Sequence, residues 1–148
     1  MNATEHISQY LCITVGGHNF AIPVSKTIEI VRPEDGTLRD RAASGDYRHS
    51  YQDRQLICVD LSAVLLKNPP RGSADWRLVI AEHDGKRAAL LIDSADRIIR
   101  VGQEEIASPV EAPEAIHADF VESMLTTESD RIFVISIEKV FDAVKAKS

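Results

Sequence analysis

The chain reads as a mainly β protein written twice. Three observations predict this. Apolar segments of four to seven residues recur between turn signals, a helical period is nearly absent until the last fifteen residues, and a stretch near the start of the sequence superposes on a later one without a gap. Leu11–Val31, "LCITVGGHNFAIPVSKTIEIV", lies over Val79–Ile99, "VIAEHDGKRAALLIDSADRII", so that Gly17 meets Gly85, Ala21 meets Ala89, Val24 meets Ile92, Ser25 meets Asp93 and Ile30 meets Ile98. A second pair, "QLICVDLSAVL" over "RIFVISIEKVF", sets Asp60 on Ser136 at a slightly different offset.

Each copy supplies about five short strands and a terminal helical turn. The expected strands, in order, are "YLCITVG", "NFAIPV", "TIEIVR", "DYRHSY", "QLICVD", "RLVIAEH", "KRAALLI", "RIIRV", "DFVESML" and "RIFVIS". Gly16-Gly17 and Asp84-Gly85 have the dipeptides that favour tight hairpins, because glycine tolerates positive φ. Two helices follow from spacing. Ile137, Val140, Phe141 and Val144 form one apolar stripe behind Ser136, and Leu61, Val64 and Leu65 begin a shorter one behind Asp60; serine and aspartate both cap helix starts. The prolines of "KNPPRG" end the shorter helix.

"KNPPRGSAD", "GQEEIASPVEAPEAIH" and the polar "PEDGTLRDRAASG" read as connectors. The expected lobes are therefore about 10–66 and about 76–136, with a C-terminal helix over about 137–146, all within one domain. A unit of roughly seventy residues is near the lower limit of what buries a stable core alone, so the two copies are expected to pack face to face.

Composition narrows the function classes. The 148 residues carry a formal net charge of -6 and no clustered basic stripe, which disfavours nucleic acid and anionic membranes. Cys12 and Cys58 lie inside apolar runs and read as buried reduced thiols. The first ten residues show no signal-peptide pattern and no apolar run is long enough to cross a bilayer, so the expected compartment is the cytoplasm, without direct membrane insertion. The five histidines show no metal-ligand spacing, and no nucleophile arrangement or glycine-rich phosphate loop is present. No enzyme activity, cofactor or metal is expected. Asp93 closes an apolar run at the break between two strands, where a short acid bonds nearby backbone amides; it reads as architecture rather than as a catalytic group. Tyr47, His49 and Tyr51 share one strand face, expected to line a lobe interface.

The order of these elements resembles the CheW-like domain of bacterial chemotaxis coupling proteins. The resemblance runs from about Tyr10 to Phe141 and is carried by "ITVGGHNFAIPVSKTIEIV", "LICVDLSAVL", "AALLIDSADRIIRV" and "FVISIEKVF". It implies two small five-stranded SH3-like β-barrels packed on a shared hydrophobic seam, and a non-catalytic adaptor. The implied partners are the regulatory domain of a CheA-type histidine kinase and the cytoplasmic tip of a chemoreceptor. On the receptor side it points to Ile28, Glu29, Val31 and Arg32, and on the kinase side to Gln52, Asp53, Arg54 and Leu56.

The sequence also departs from the family pattern. Gln52 stands where the family has arginine and Asp53 where it has glycine, with Arg54 close but shifted by two positions; Ile57 replaces a proline, Ala89 and Ser123 replace glycines, and Ser136 replaces an aspartate. The first lobe is the more divergent, so a coupling protein of an auxiliary or alternative chemosensory or twitching system fits as well as a mainstream one. The competing reading from another class is a small β-barrel that binds a small ligand or single-stranded nucleic acid.

Overall fold

In the computed structural model, residues 7–33, 37–44, 47–70, 75–108, 112–127 and 131–146 are described; parts of the three expected connectors lie outside them. Eleven strands and three α-helices follow one another as β1 (Ile7–Val15), β2 (His18–Pro23), β3 (Thr27–Val31), α1 (Arg39–Ala42), β4 (Arg48–Tyr51), β5 (Arg54–Asp60), α2 (Leu61–Leu65), β6 (Arg77–His83), β7 (Lys86–Ile92), β8 (Ser94–Gly102), β9 (Ile106–Ala107), β10 (Val121–Thr126), β11 (Arg131–Ile135) and α3 (Ile137–Ala146). All ten expected strands are present. β9 and α1 are additions, too short to leave a periodic signal.

The strands form two sheets, ordered β8-β1-β2-β11-β10-β9 and β3-β6-β7-β5-β4, which build the two SH3-like subdomains, here barrel A and barrel B. One has six strands where five were expected. The sheets also do not follow the sequential lobes 10–66 and 76–136. The hairpin β1–β2 belongs with β8–β11, and the hairpin β6–β7 belongs with β3–β5. Each copy lends its first hairpin to the other copy's barrel.

This exchange is symmetric to the residue. Leu11 pairs with Ile22 and with Ile98, and its counterpart Val79 pairs with Leu90 and with Ile30. Ala21 lies parallel to Val134 as Ala89 lies parallel to Cys58. Even the register shift recurs, at Cys12/Ile13 against β8 and at Thr27/Glu29 against β6. Local periodicity is identical whichever hairpin a strand joins, so the sequence shows the duplication but not the exchange.

Three apolar clusters explain why the runs are continuous rather than alternating. Tyr10, Cys12, Ala21, Val101, Leu125, Ile132 and Val134 fill barrel A. Leu56, Cys58, Trp76, Leu78, Ile80, Ala89 and Leu91 fill barrel B. The opposite faces of the same strands, including Leu11, Ile13, Phe20, Ile22, Val59, Val79, Leu90, Ile92 and Ile135, meet in a seam between the barrels. Successive residues of a strand point to opposite faces, so a strand buried on both sides has no polar positions to alternate with.

The helices close this seam. The Asp60 carboxylate accepts from the Ser62 N–H at 3.1 Å at the start of α2, and the Ser136 hydroxyl accepts from the Lys139 N–H at 3.3 Å at the start of α3. Leu61 and Leu65, then Ile137, Val140 and Phe141, deliver the two apolar stripes to the seam. Asp93 is a clamp. Its carboxylate accepts from the Gly16 N–H at 2.6 Å and pairs with the Arg39 guanidinium, while its own N–H donates to the Thr14 carbonyl at 3.0 Å. It ties the β1–β2 turn of barrel A to α1.

Both glycine-containing hairpins have two central residues of positive φ, Gly16 and Gly17 (57° and 84°) and Asp84 and Gly85 (52° and 76°), the combination that matches strand twist. A Cβ at Gly16 would collide with the buried Leu66 side chain, whereas one at Gly17 would meet nothing within 4 Å. Gly16→Ala is therefore expected to cost roughly 1–3 kcal/mol from overpacking in addition to backbone strain, and Gly17→Ala only the roughly 1–2 kcal/mol of the left-handed conformation. Urea unfolding of the two variants, with equal slopes, checks the order.

Candidate functional site

A surface on barrel B gathers most of the residues that the sequence singles out. β3 is an edge strand, and its register shift against β6 falls at Ile28. Ile28 and Ile30 are left 38% and 41% exposed, an unusual use of two large aliphatic side chains. Val31 packs partly buried against the barrel B cluster. Arg32, just beyond the strand, is exposed.

The β4–β5 hairpin brings the second group to the same place. Its turn residues Gln52 and Asp53 have φ of 47° and 63°. This is the two-residue turn that normally calls for Asn-Gly or Gly-Gly, and without glycine the sequence gives no hint of it. Two non-glycine residues in the left-handed region store strain at an exposed tip. Asp53 and Arg54 are exposed there. Leu56 corrects the expectation: it is only 6% exposed and sits in the barrel B core, because β5 buries both faces.

A polar chain links the two groups. The Tyr51 hydroxyl donates to Glu29 at 2.6 Å, the Gln52 amide reaches the Tyr51 oxygen at 3.5 Å, Arg87 donates to the Gln52 carbonyl at 3.4 Å, and Arg87 pairs with Glu82 at 3.0 Å. The Glu29 carboxylate holds the Tyr51 proton and moves the phenol above its ordinary pKa. Glu29, expected on the receptor side, and Gln52, expected on the kinase side, are thus bridged by one tyrosine. The same bond joins β3 to β4, the first and last strands in the order of that sheet.

The aromatic trio Tyr47, His49 and Tyr51 faces the barrel B cluster. Tyr47 and Tyr51 pack against the barrel B cluster and His49 is buried, which leaves no ladder of open rings for bases to stack on. The face they line is the barrel interior rather than the interface between lobes.

Other exposed features went unremarked in the sequence. Ile98, the counterpart of Ile30 on edge strand β8, is 58% exposed between Arg97 and Arg100. A groove of about 760 Å³ on barrel A is lined by Ile7–Tyr10, Pro23–Ser25 and Arg100. Only a folded chain brings these three segments together.

Both cysteines are free and buried, and burial raises both thiol pKa values, with Cys58 pushed up to about 12. Among the described residues no group of three His, Cys, Asp or Glu could hold a metal ion, and no helix is long and apolar enough to cross a membrane.

The comparisons agree with this architecture. The family model for the CheW-like domain matches residues 9–145. The chain belongs to the CheW-like domain family. Its fold is similar to the crystal structure of the scaffolding protein TtCheW from Thermoanaerobacter tengcongensis, with a TM-score of 0.73 and 18% identity over 89% of this chain and 90% of that one. A search of curated proteins finds no match.

Two outcomes follow from burial. Ile28→Glu places a charge on an exposed position and is expected to change stability by no more than about 0.5 kcal/mol; a sharp fall in melting temperature would show that Ile28 is a core residue instead. Cys58 binds its proton more tightly folded than unfolded, so its contribution to stability is complete below the ordinary thiol pKa of 9.0 and is lost as pH rises from there towards about 12. Stability measured across that alkaline range should fall less steeply in Cys58→Ala than in the wild type.

Proposed function

We propose that the protein is a non-catalytic cytoplasmic adaptor that couples the tip of a chemoreceptor to a CheA-type histidine kinase, in an auxiliary or alternative chemosensory or twitching system. The observation that carries the reading is the barrel B surface on a CheW-like scaffold: two exposed isoleucines on an edge strand, joined through Glu29 and Tyr51 to a strained, exposed hairpin tip. Such a surface suits recognition, because aliphatic side chains supply buried area on association and a rigid polar rim supplies orientation.

In this reading Ile28, Glu29 and Arg32 face the receptor, joined by Ile30, and Gln52, Asp53 and Arg54 face the kinase regulatory domain. With the family arginine replaced by Gln52, the cations at this tip are Arg54 and the Arg87 side chain that reaches Gln52. The two partners then meet side by side on one barrel, which is the arrangement a coupling protein needs.

Calorimetric titration against the regulatory domain of the cognate kinase should give a dissociation constant in the micromolar range or tighter, equivalent to about -8 kcal/mol or better. Ile28→Glu should keep the kinase affinity and lose the receptor. No heat with either partner at high micromolar concentration would refute the reading, and salt-sensitive binding of a short oligonucleotide would favour the nucleic-acid alternative.

A further inference from the structure

Lys26 and His83 meet where the connection from β2 to β3 passes the end of β6. Lys26 closes the 3-10 turn Val24–Lys26 that leads into β3, and its Nζ lies 3.0 Å from His83 Nδ1. An ammonium group donates and never accepts, so this hydrogen bond exists only while Nδ1 carries no proton. The neutral ring then keeps its proton on Nε2, 3.5 Å from the Asp84 carboxylate. The imidazole is 19% exposed and stands edge-on to Phe141 of α3, with ring centroids 6.1 Å apart.

The surrounding charges decide what a second proton does. In its own hairpin the ring has Asp84, whose carboxylate is 86% exposed and screened by water, and Lys86 of β7, its register partner. β3 brings Thr27 to this end of β6, while its Glu29 is engaged by Tyr51. α3 sets Phe141 against the ring and Glu138 beside Glu122 of β10, and Glu122 in turn acts on Lys26. Burial lifts the Glu122 carboxyl above its ordinary range against the pull of Lys26, so falling pH neutralises it early. A proton on Nδ1 removes the acceptor and sets two cations at hydrogen-bond distance, with Lys86 a third across the ladder.

We propose that the Lys26–His83 contact is a proton-operated latch on the β2–β3 turn: with a neutral ring it holds Ile28 in its exposed position, and a proton on Nδ1 opens it. Its place in the fold gives it that reach. Thr27, next to Lys26, pairs with Ala81, and the register shift that follows falls at the exposed Ile28. The Thr27 hydroxyl donates to the Pro23 carbonyl at 3.2 Å, which ties the start of β3 back to the head of the turn. Weaker receptor binding in acid is the consequence that rests on the coupling reading above; the latch itself does not.

The test follows the imidazole nitrogens and backbone amides of isotope-labelled full-length protein by NMR from about pH 8 to about pH 5. At the alkaline end Nδ1 should have the chemical shift of a bare nitrogen and Nε2 that of a protonated one. As the ring takes up its second proton, the amides of Lys26, Thr27 and Ile28 should move with the same midpoint. His83→Asn places a side-chain oxygen near the position of Nδ1 that accepts at every pH, and should hold these amides still. Lys26→Met should uncouple them from the ring. A proton on Nδ1 at the alkaline end, amides that ignore the ring, or amides that move equally in His83→Asn would overturn the latch. If a variant does not fold, the ring and amide midpoints of the wild type still decide. A hairpin from the cognate receptor tip should bind the wild type about fivefold or more weakly at the acid end, and His83→Asn equally at both ends. The same pH dependence in both proteins would overturn the control of binding. A hairpin that binds neither protein at any pH defeats the coupling reading, and the NMR titration then decides the latch alone.

Discussion

The burial of β1, β2, β6 and β7 on both faces is the constraint on which the rest of the molecule depends. One face of each strand fills a barrel and the other fills the seam, so Leu11 and Val79 serve the seam while their neighbours Cys12 and Ile80 serve the barrels. Neither barrel has to bury a complete core by itself, which is the difficulty for units of this size. The helices α2 and α3 are recruited for the same purpose, and their caps fix the angle at which each stripe arrives.

The exchange of hairpins follows from that seam and determines where function can reside. The doubly buried middles of these strands have no surface to offer. Recognition is left to the edge strands β3 and β8, to hairpin tips and to the ends of the barrels. The exposed isoleucines on β3 and β8 and the groove all lie in this remainder. Asp93 and Arg39 show how one such place can be closed from within: the ion pair and Ala42 turn an otherwise open barrel end into core.

Much of this was legible in the sequence because turns, caps and short apolar runs are local. Gly16-Gly17, Asp84-Gly85, Asp60 and Ser136 announce their roles by chemistry alone, and the superposition of Leu11 on Val79 reveals the repeat. Strand exchange was not legible, since a strand's own pattern is the same in either sheet. Leu56 was misplaced for a related reason: with both faces apolar, alternation cannot say which side chains are available. The Gln52-Asp53 turn lacks the glycine that would mark it, and α1 is too short to show a stripe. The residues proposed for the site came through the family resemblance; the exposure of Ile28 and the linkage of Glu29 to Tyr51 required coordinates.

The interleaving of the two copies also bears on how the molecule could be divided. A chain severed between Leu66 and Trp76 would yield an amino-terminal piece with β1 through α2 and a carboxy-terminal piece with β6 through α3, each lacking the hairpin on which its remaining strands depend. Neither piece would hold a finished barrel, yet mixing them would restore both at once. A half-length polypeptide with the same plan would complete its barrel by trading hairpins with an identical copy, and joining two such copies needs no new topology.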